Sequence, residues 1–234
     1  VLRLFVDRQI VPGDTVRIAG PDLRHVQVLR LSPGAELRLV DAAGLEHEAT
    51  LLAVTALEAV ARADRAHAPH TESALDLVLA PALLKAPRMD LVIEKATELG
   101  VQRIVPVETR HAVARGAHLE RWQRIARAAA SQSGRTRLPI IEPPQPIARV
   151  LGLPWPGLRL LADERERGTR FSDLFQATAS VIALIGPEGG LAPDEAAAAR
   201  AHGFLPVSLG PRILRAETAA IVVAAHCQRQ WGDG

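Results

Sequence analysis

Two segments near the C-terminus share one build, and together they constrain the fold more than anything else in the chain. Leu184-Ile185-Gly186-Pro187-Glu188-Gly189-Gly190 is an apolar strand that runs into a Gly/Pro loop. After a helix-length gap, Leu209-Gly210-Pro211-Arg212-Ile213-Leu214-Arg215-Ala216-Glu217-Thr218-Ala219 repeats the pattern. Each loop leads into a helix. Two such loops can lie side by side at the ends of adjacent parallel strands, where open α/β sheets bind small molecules. The neighbouring sequence agrees. Apolar strands are expected at Leu75–Ala80, Ile104–Val107, Leu158–Ala162, Val181–Ile185 and Leu205–Leu209. Helices are expected at Pro87–Leu99, Leu119–Ala130, Pro193–His202 and Glu217–Gln230. This alternation predicts a mostly parallel sheet covered on both faces.

The first 70 or so residues read differently. Pro12-Gly13-Asp14 and Pro33-Gly34 are turn signals. Glu36–Val40 and Glu46–Leu52 alternate polar and apolar residues around an Ala42-Ala43-Gly44 hairpin connection, and Val54–Arg62 supplies a further strand. A short helix is expected to start at Asp22 as N-cap and run to Leu29. Small barrels with one short helix are built this way. Asp64–Ser73 reads as a linker, so two domains are expected, at 1–70 and 74–234.

Composition narrows the class. With 48% hydrophobic and 23% charged residues, the 234-residue chain can bury a core and is expected to be soluble. No apolar run approaches the roughly 18 residues of a membrane span. Val1–Asp7 is too short and too charged before Asp14 for a secretory signal. A single cysteine, Cys227, excludes an internal disulfide framework and a cysteine metal site, so a cytoplasmic home is the simplest expectation. Neither a metal nor a membrane partner is expected. The net charge is only +2, yet Arg103, Arg110, Arg115, Arg121, Arg124, Arg127, Arg135 and Arg137 follow one another against only Glu108 and Glu120. Such a run suits a local phosphate-binding surface, and equally a solvated helix face.

The Gly186 loop fits neither G-x-G-x-x-G nor the phosphate-cradling G-x-x-x-x-G-K-[ST] pattern. In the second loop, Arg212 and Arg215 bracket two apolar residues, while Glu217 and Thr218 stand where capping and the helix dipole favour them. An Arg215–Glu217 ion pair is one reading. Lys85 and Arg88 bracket Pro87 between a strand end and a helix start, a place to meet an anion. His67 and His70 have no third ligand nearby.

Taken together, these residues resemble the RsmE family of ribosomal RNA methyltransferases, within the SPOUT superfamily. The likeness runs through Leu84-Lys85, Arg88-Met89, Glu94 to Val101, Trp122, Ile125, Gln132-Ser133-Gly134-Arg135 and both C-terminal loops. Arg3, Phe5, His25-Val26 and Val28-Leu29-Arg30 are similar to that family's N-terminal part. The resemblance implies an α/β fold: an N-terminal PUA-like small β-barrel plus a C-terminal SPOUT domain with a deep trefoil knot at about 184–220. It implies S-adenosyl-L-methionine as methyl donor, a homodimer, and methylation of N3 of one uridine in 16S ribosomal RNA of the small ribosomal subunit. Under it, Leu184, Ile185, Gly186, Glu188, Gly189, Leu209, Gly210, Ile213, Leu214, Thr218 and Ala219 hold the donor. Arg215 stabilises the anionic ring, with Glu217 orienting it or acting as base. Arg3, Arg30, Lys85, Arg88, Arg121, Arg124, Arg135 and Arg212 grip phosphates.

Two positions depart from the family pattern. Ser131 replaces an acidic residue, and Ala192 replaces a Ser or Thr helix cap, leaving Glu195 as half of a capping box. Two rival readings remain at this level. One is a SPOUT methyltransferase acting on another RNA, such as a transfer RNA ribose; the other is a non-catalytic RNA-binding assembly factor.

Overall fold

The computed structural model describes residues 1–112, 114, 116, 118–163, 165–166, 168–174 and 176–234. Arg115 of the basic run lies outside them. The chain divides into two compact units: Val1–Glu72 with Ala130–Arg137, and Ser73–Ala129 with Leu138–Gly234.

The first unit contains β1 (Leu2–Phe5), β2 (Thr15–Ile18), α1 (Gly20–Val28), β3 (Glu36–Val40), β4 (Glu46–Val54) and β5 (Ala59–His67). The strands form one sheet in the order β1-β3-β4-β5-β2. β1 runs parallel to β3 and the other pairs are antiparallel. Register shifts at Glu48/Ala49 and Leu51/Ala53 interrupt the β4–β5 ladder, and such irregularities bend a strand. Alternating Leu37, Leu39, Ala49, Leu51, Ala59, Ala61 and Ala63 fill its core with Val26 of α1.

Three local expectations are corrected here. Helix α1 begins at Gly20, with Ala19 at the N-cap position and Pro21 in the first turn, so Asp22 is not the cap. Pro21 needs no N–H partner there, which moves the start upstream. The expected Val54–Arg62 strand is split at a turn in which the Thr55 hydroxyl accepts the N–H of Leu57 and of Glu58. The segment read as a linker from Asp64 is β5 as far as His67.

The polar centre of this unit is Asp41. Its carboxylate accepts the N–H of Ala43 and of Leu45 at 2.9 Å and of Ile10 at 3.3 Å, and lies 3.3 Å from His47 Nε2. This closes the β3–β4 hairpin and ties it to the 6–14 loop. A second centre is Glu72. It takes the Arg135 guanidinium and the N–H groups of Thr136 and Arg137, and Arg135 is 2% exposed. Arg3 pairs with buried Glu46, and the Ser131 hydroxyl donates to the Arg3 carbonyl at 2.7 Å. Arg3 and Arg135, expected at phosphates, are therefore committed to internal carboxylates, and Ser131 has a packing role of its own.

The second unit continues with β6 (Asp76–Pro81), α2 (Arg88–Glu98), β7 (Arg103–Ile104), β8 (Val107–Glu108), α3 (Leu119–Ser133, of which Ala130 onward belongs to the first unit), β9 (Ile140–Ile141), β10 (Gln145–Pro146) and α4 (Ile147–Leu151). It ends with β11 (Leu158–Ala162), β12 (Ser180–Ile185), α5 (Pro193–Ala201), β13 (Leu205–Val207) and α6 (Ala216–Trp231). Six strands make one sheet in the order β13-β11-β12-β6-β7-β9, and every pairing in it is parallel. Alternate residues of β6 and β12 enter two different cores. Leu77, Leu79, Val181, Ala183 and Ile185 meet α2, α3 and α6, while Val78, Ala80, Ile182 and Leu184 meet α4 and α5. The expected strand Ile104–Val107 is two short pieces. Pro106, which has no N–H to give, separates β7 in the main sheet from β8, which pairs with β10.

Helix α6 buries Ala219, Ala220, Val223, Ala224 and Cys227. Burial pushes the Cys227 thiol up to about 12. Ile221 and Val222 are half-buried and Ala225 is exposed, while the Trp231 indole donates to the Gln176 carbonyl. Among the described residues, no helix is long and apolar enough to cross a membrane.

The Asp41 network generates a test. Burial alone raises its carboxyl, but the hydrogen bonds from Leu45, Ile10, His47 and Ala43 outweigh it and hold the carboxyl below its ordinary value. Because the folded value lies below the unfolded one, the stabilisation is full above about pH 4 and drains away as pH falls through the folded value. Asp41→Ala should cost about 3 kcal/mol at pH 7 in urea unfolding. The gap to wild type should shrink at pH 3; a gap independent of pH would contradict this role.

Candidate active site

The connections from β6 and from β12 leave in opposite directions along the sheet, β6 towards β7 and β12 across β11 to β13. Their carboxyl ends therefore meet at a topological switch point, where side chains of neither connection cover the sheet edge. Both Gly loops open here. β12 runs into residues 186–190, where Gly190 adopts φ +70° and its N–H bonds to the Pro187 carbonyl at 2.9 Å. β13 runs into residues 208–215, where Gly210 adopts φ +113°, a conformation that side chains resist.

The first loop is clamped from outside. Arg110 forms a fork with Asp194 at 2.6–2.8 Å, which raises the guanidinium and lowers the carboxyl. Glu195 accepts the Ala192 N–H at 2.9 Å and the Arg110 N–H at 2.8 Å. So Glu195 alone carries the start of α5, where Ala192 has no side chain to offer. His111 Nδ1 lies 3.0 Å from the Gly190 carbonyl. A carbonyl only accepts, so the proton in that bond sits on Nδ1.

Between the two loops lies a cleft of about 240 Å³. Ile185, Gly186, Glu188, Gly189, Leu209, Gly210, Ile213, Leu214 and Ala219 line it, all of them expected from sequence. Leu184 and Thr218 do not: Leu184 is buried in the opposite core and Thr218 is exposed. Sequence reasoning missed Ala162, Asp163, Pro187, Ser208 and Ala216. Asp163 directly follows β11, and that strand end was the available signal. Its carboxylate accepts from Arg200 at 2.5 Å and from the Arg165 N–H at 2.9 Å.

A second cleft, of about 560 Å³, adjoins the first through Glu188 and Gly189. Lys85, Arg88, His111, Leu83 and Ala114 are among its other walls. Arg88 links the two loops. It pairs with Glu188 of the first, and its Nε lies 3.7 Å from Glu217 in the first turn of α6. Glu217 is buried, and its Oε2 has no hydrogen-bond partner among the described residues. Two expectations change here. Glu217 faces Arg88, not Arg215, and the first turn of α6 has no side-chain cap. Arg88 meets carboxylates of its own chain. Arg215 is exposed and lines neither cleft.

The expected phosphate contacts sort by charge pairing. Arg121 forks onto Asp90 at 2.5 and 3.2 Å. Arg124 is exposed on α3 beside Glu120, Gln123 and Arg127. Arg212 is exposed at the first cleft, Lys85 is exposed between β6 and α2, and Arg30 is exposed in the first unit with φ +51°.

The Glu195 bonds predict that Glu195→Ala loosens the start of α5 and the 109–112 segment together. The expected cost is about 1–2 kcal/mol in chemical denaturation. A loss below 0.3 kcal/mol, on the same scale, would show that the cap lies elsewhere.

Comparison with known proteins gives this geometry a family. The model of an RNA methyltransferase domain matches residues 71–228. A ribosomal RNA small subunit methyltransferase E from Mycobacterium bovis is 39% identical over 152 residues, 60% of this chain. The match spans 58% of that relative's length, so the chain accounts for little more than half of it. A relative of the same name from Rickettsia conorii is 30% identical over 97% of both chains. The solved structure of a ribosomal RNA small subunit methyltransferase E from Neisseria gonorrhoeae, bound to S-adenosyl methionine, superposes with a TM-score of 0.94 at 32% identity, covering 99% of this chain and 98% of that one. The chain belongs to the RNA methyltransferase family, and within it to the RsmE group of small-subunit ribosomal RNA methyltransferases.

Proposed function

We propose that this protein methylates N3 of a uridine in 16S ribosomal RNA with S-adenosyl-L-methionine as donor. The observation that carries the reading is the cleft between two Gly loops at the carboxyl ends of neighbouring parallel strands. Its residues fit that donor. Ile185, Leu209, Leu214, Ala216 and Ala219 offer apolar walls for an adenine, and the Gly186, Gly189 and Gly210 backbone permits close approach. Glu188 and Asp163 place carboxylates at a cleft that must receive a cation. When bound, the donor supplies a methyl group already activated on a sulfonium, so the protein's task is alignment.

Uracil N3 lies on the Watson–Crick edge, so the target must be unpaired or flipped out. Arg215 and Arg212 on the exposed second loop are read as meeting that nucleotide, with Glu217 holding Arg88 in place. Arg124 of the second unit and Arg30 of the first are exposed cations read as phosphate contacts. The first unit is read as a PUA-like RNA-binding barrel. Residues 184–220 are read as the knotted part of a SPOUT domain, since they hold both Gly loops with α5 and β13 between them. A cytoplasmic homodimer, with Ile221, Val222 and Ala225 on the less buried side of α6, completes the reading.

The test is calorimetric titration of S-adenosylmethionine, with nucleoside mass spectrometry on 16S ribosomal RNA or small subunits. Wild type should bind the donor and produce 3-methyluridine. Gly210→Val, forced to hold φ +113° with a branched side chain, should weaken donor binding by about tenfold or more. Absence of donor binding by the wild type would leave an RNA-binding module, and a different methylated nucleoside would move the target.

A further inference from the structure

The chain's 28 basic residues include only two lysines, and they are used in opposite ways. Lys95 lies between Glu94 at 2.7 Å and Glu98 at 2.8 Å, and those carboxylates raise its ammonium. Lys85 makes no ion pair among the described residues. It is exposed, and it follows the carboxyl end of β6 at the sheet's switch point. It lines the second cleft, which shares Glu188 and Gly189 with the donor cleft. It also borders a third hollow of about 370 Å³ with Leu84, Met89 and His118.

The other charges around this cleft are already engaged. Arg88 is held by Glu188 and by Glu217. His111 donates its Nδ1 proton to the Gly190 carbonyl. Arg110, in the same segment, is forked onto Asp194. Among the described wall residues, Lys85 is the one whose charge is left uncommitted. Where arginine is the chain's habitual cation, a lysine at this position is informative. Its ammonium is a compact point charge with three rotatable donors, suited to a single oxygen, whereas guanidinium suits a planar pair.

We infer that the second cleft receives the acceptor base, and that Lys85 is the catalytic cation which stabilises the pyrimidine ring as its N3 becomes nucleophilic. This rests on the reading of the protein as a uracil-N3 methyltransferase. Loss of the N3 proton spreads negative charge onto the ring carbonyl oxygens, and the Lys85 ammonium hydrogen-bonds one of them. The proton passes to water, which the open cleft admits. The N3 lone pair then forms the bond to the methyl carbon while the carbon–sulfur bond breaks, its electron pair staying on sulfur. Arg88 is a positioning residue here: by pairing with Glu188 of the first loop and Glu217 of α6 it fixes the wall that the two clefts share.

The test compares wild type, Lys85→Met and Lys85→Arg on unmodified small subunits from pH 7 to 9.5, with donor affinity measured alongside. Lys85 is exposed, so both variants should fold, and thermal melting checks this. Lys85→Met should keep donor affinity within about twofold, yet lose about 10²–10³-fold in kcat, the usual worth of one preorganised donor. Its deficit should shrink as pH rises, because alkali ionises the ring without help. Lys85→Arg, which restores charge but not shape, should recover part of the loss. Lys85→Met with a kcat near wild type and an unchanged pH profile would overturn the inference. So would a loss of donor affinity that accounts for the whole effect. Failure of wild type itself to form 3-methyluridine is a separate outcome, against the functional reading on which this rests.

Discussion

Everything at the site hangs on the burial of one strand. Ser180–Ile185 is paired on both sides, to β11 and to β6, and its residues from Val181 onward are buried in one core or the other. A strand hydrogen-bonded along both edges and packed on both faces has no freedom to shift by one residue, because a slip would exchange its two faces. The point where it stops is thereby fixed. At that point Gly186 begins a loop whose two sides line different clefts. The strand fixes the start of the loop, the Glu195 and Arg110 clamp fixes its end, and Arg88 ties its middle to the first turn of α6.

This arrangement suits the methyl transfer proposed for the site, which asks chiefly for alignment. Alignment can supply much of the rate when the reacting groups are held on rigid elements. Here the parts come from strand ends that are consecutive in space but scattered in sequence: residues 82–88, 162–163, 185–190 and 208–216. Among the described residues, Glu217 Oε2 is a buried oxygen of this frame without a hydrogen-bond partner. A buried carboxylate is costly unless a cation compensates it, and Arg88 is the cation within reach. That dependence places Arg88 within the frame, although its position beside Pro87 suggested a surface anion contact.

Much of this was legible in the sequence, because the sheet is built from long signals. Leu158–Ala162 has the expected bounds, and α2, α5, α6 and β12 depart from theirs by a residue or two. Apolar runs ending in Gly are local signals, and they located most of the cleft. What was not legible was non-local. β9, β10 and α4 are short pieces among Pro139, Pro143, Pro144 and Pro146, and only their neighbours decide their form. A split strand at Pro106 shows the same effect. Charges were the hardest to read, since an arginine looks alike whether it faces solvent or a carboxylate. Arg135 finds Glu72 across 63 positions and Arg88 finds Glu188 across 100. No periodicity reports such pairs.

The central claim is that the two Gly loops form the donor site. Amide hydrogen exchange with and without S-adenosylmethionine tests it most directly, because it reads each segment by itself. The account predicts donor-dependent protection concentrated at residues 186–190 and 208–216, with β3 and β4 unaffected. Donor-dependent protection confined to other segments, or binding with no change in these two loops, would contradict it.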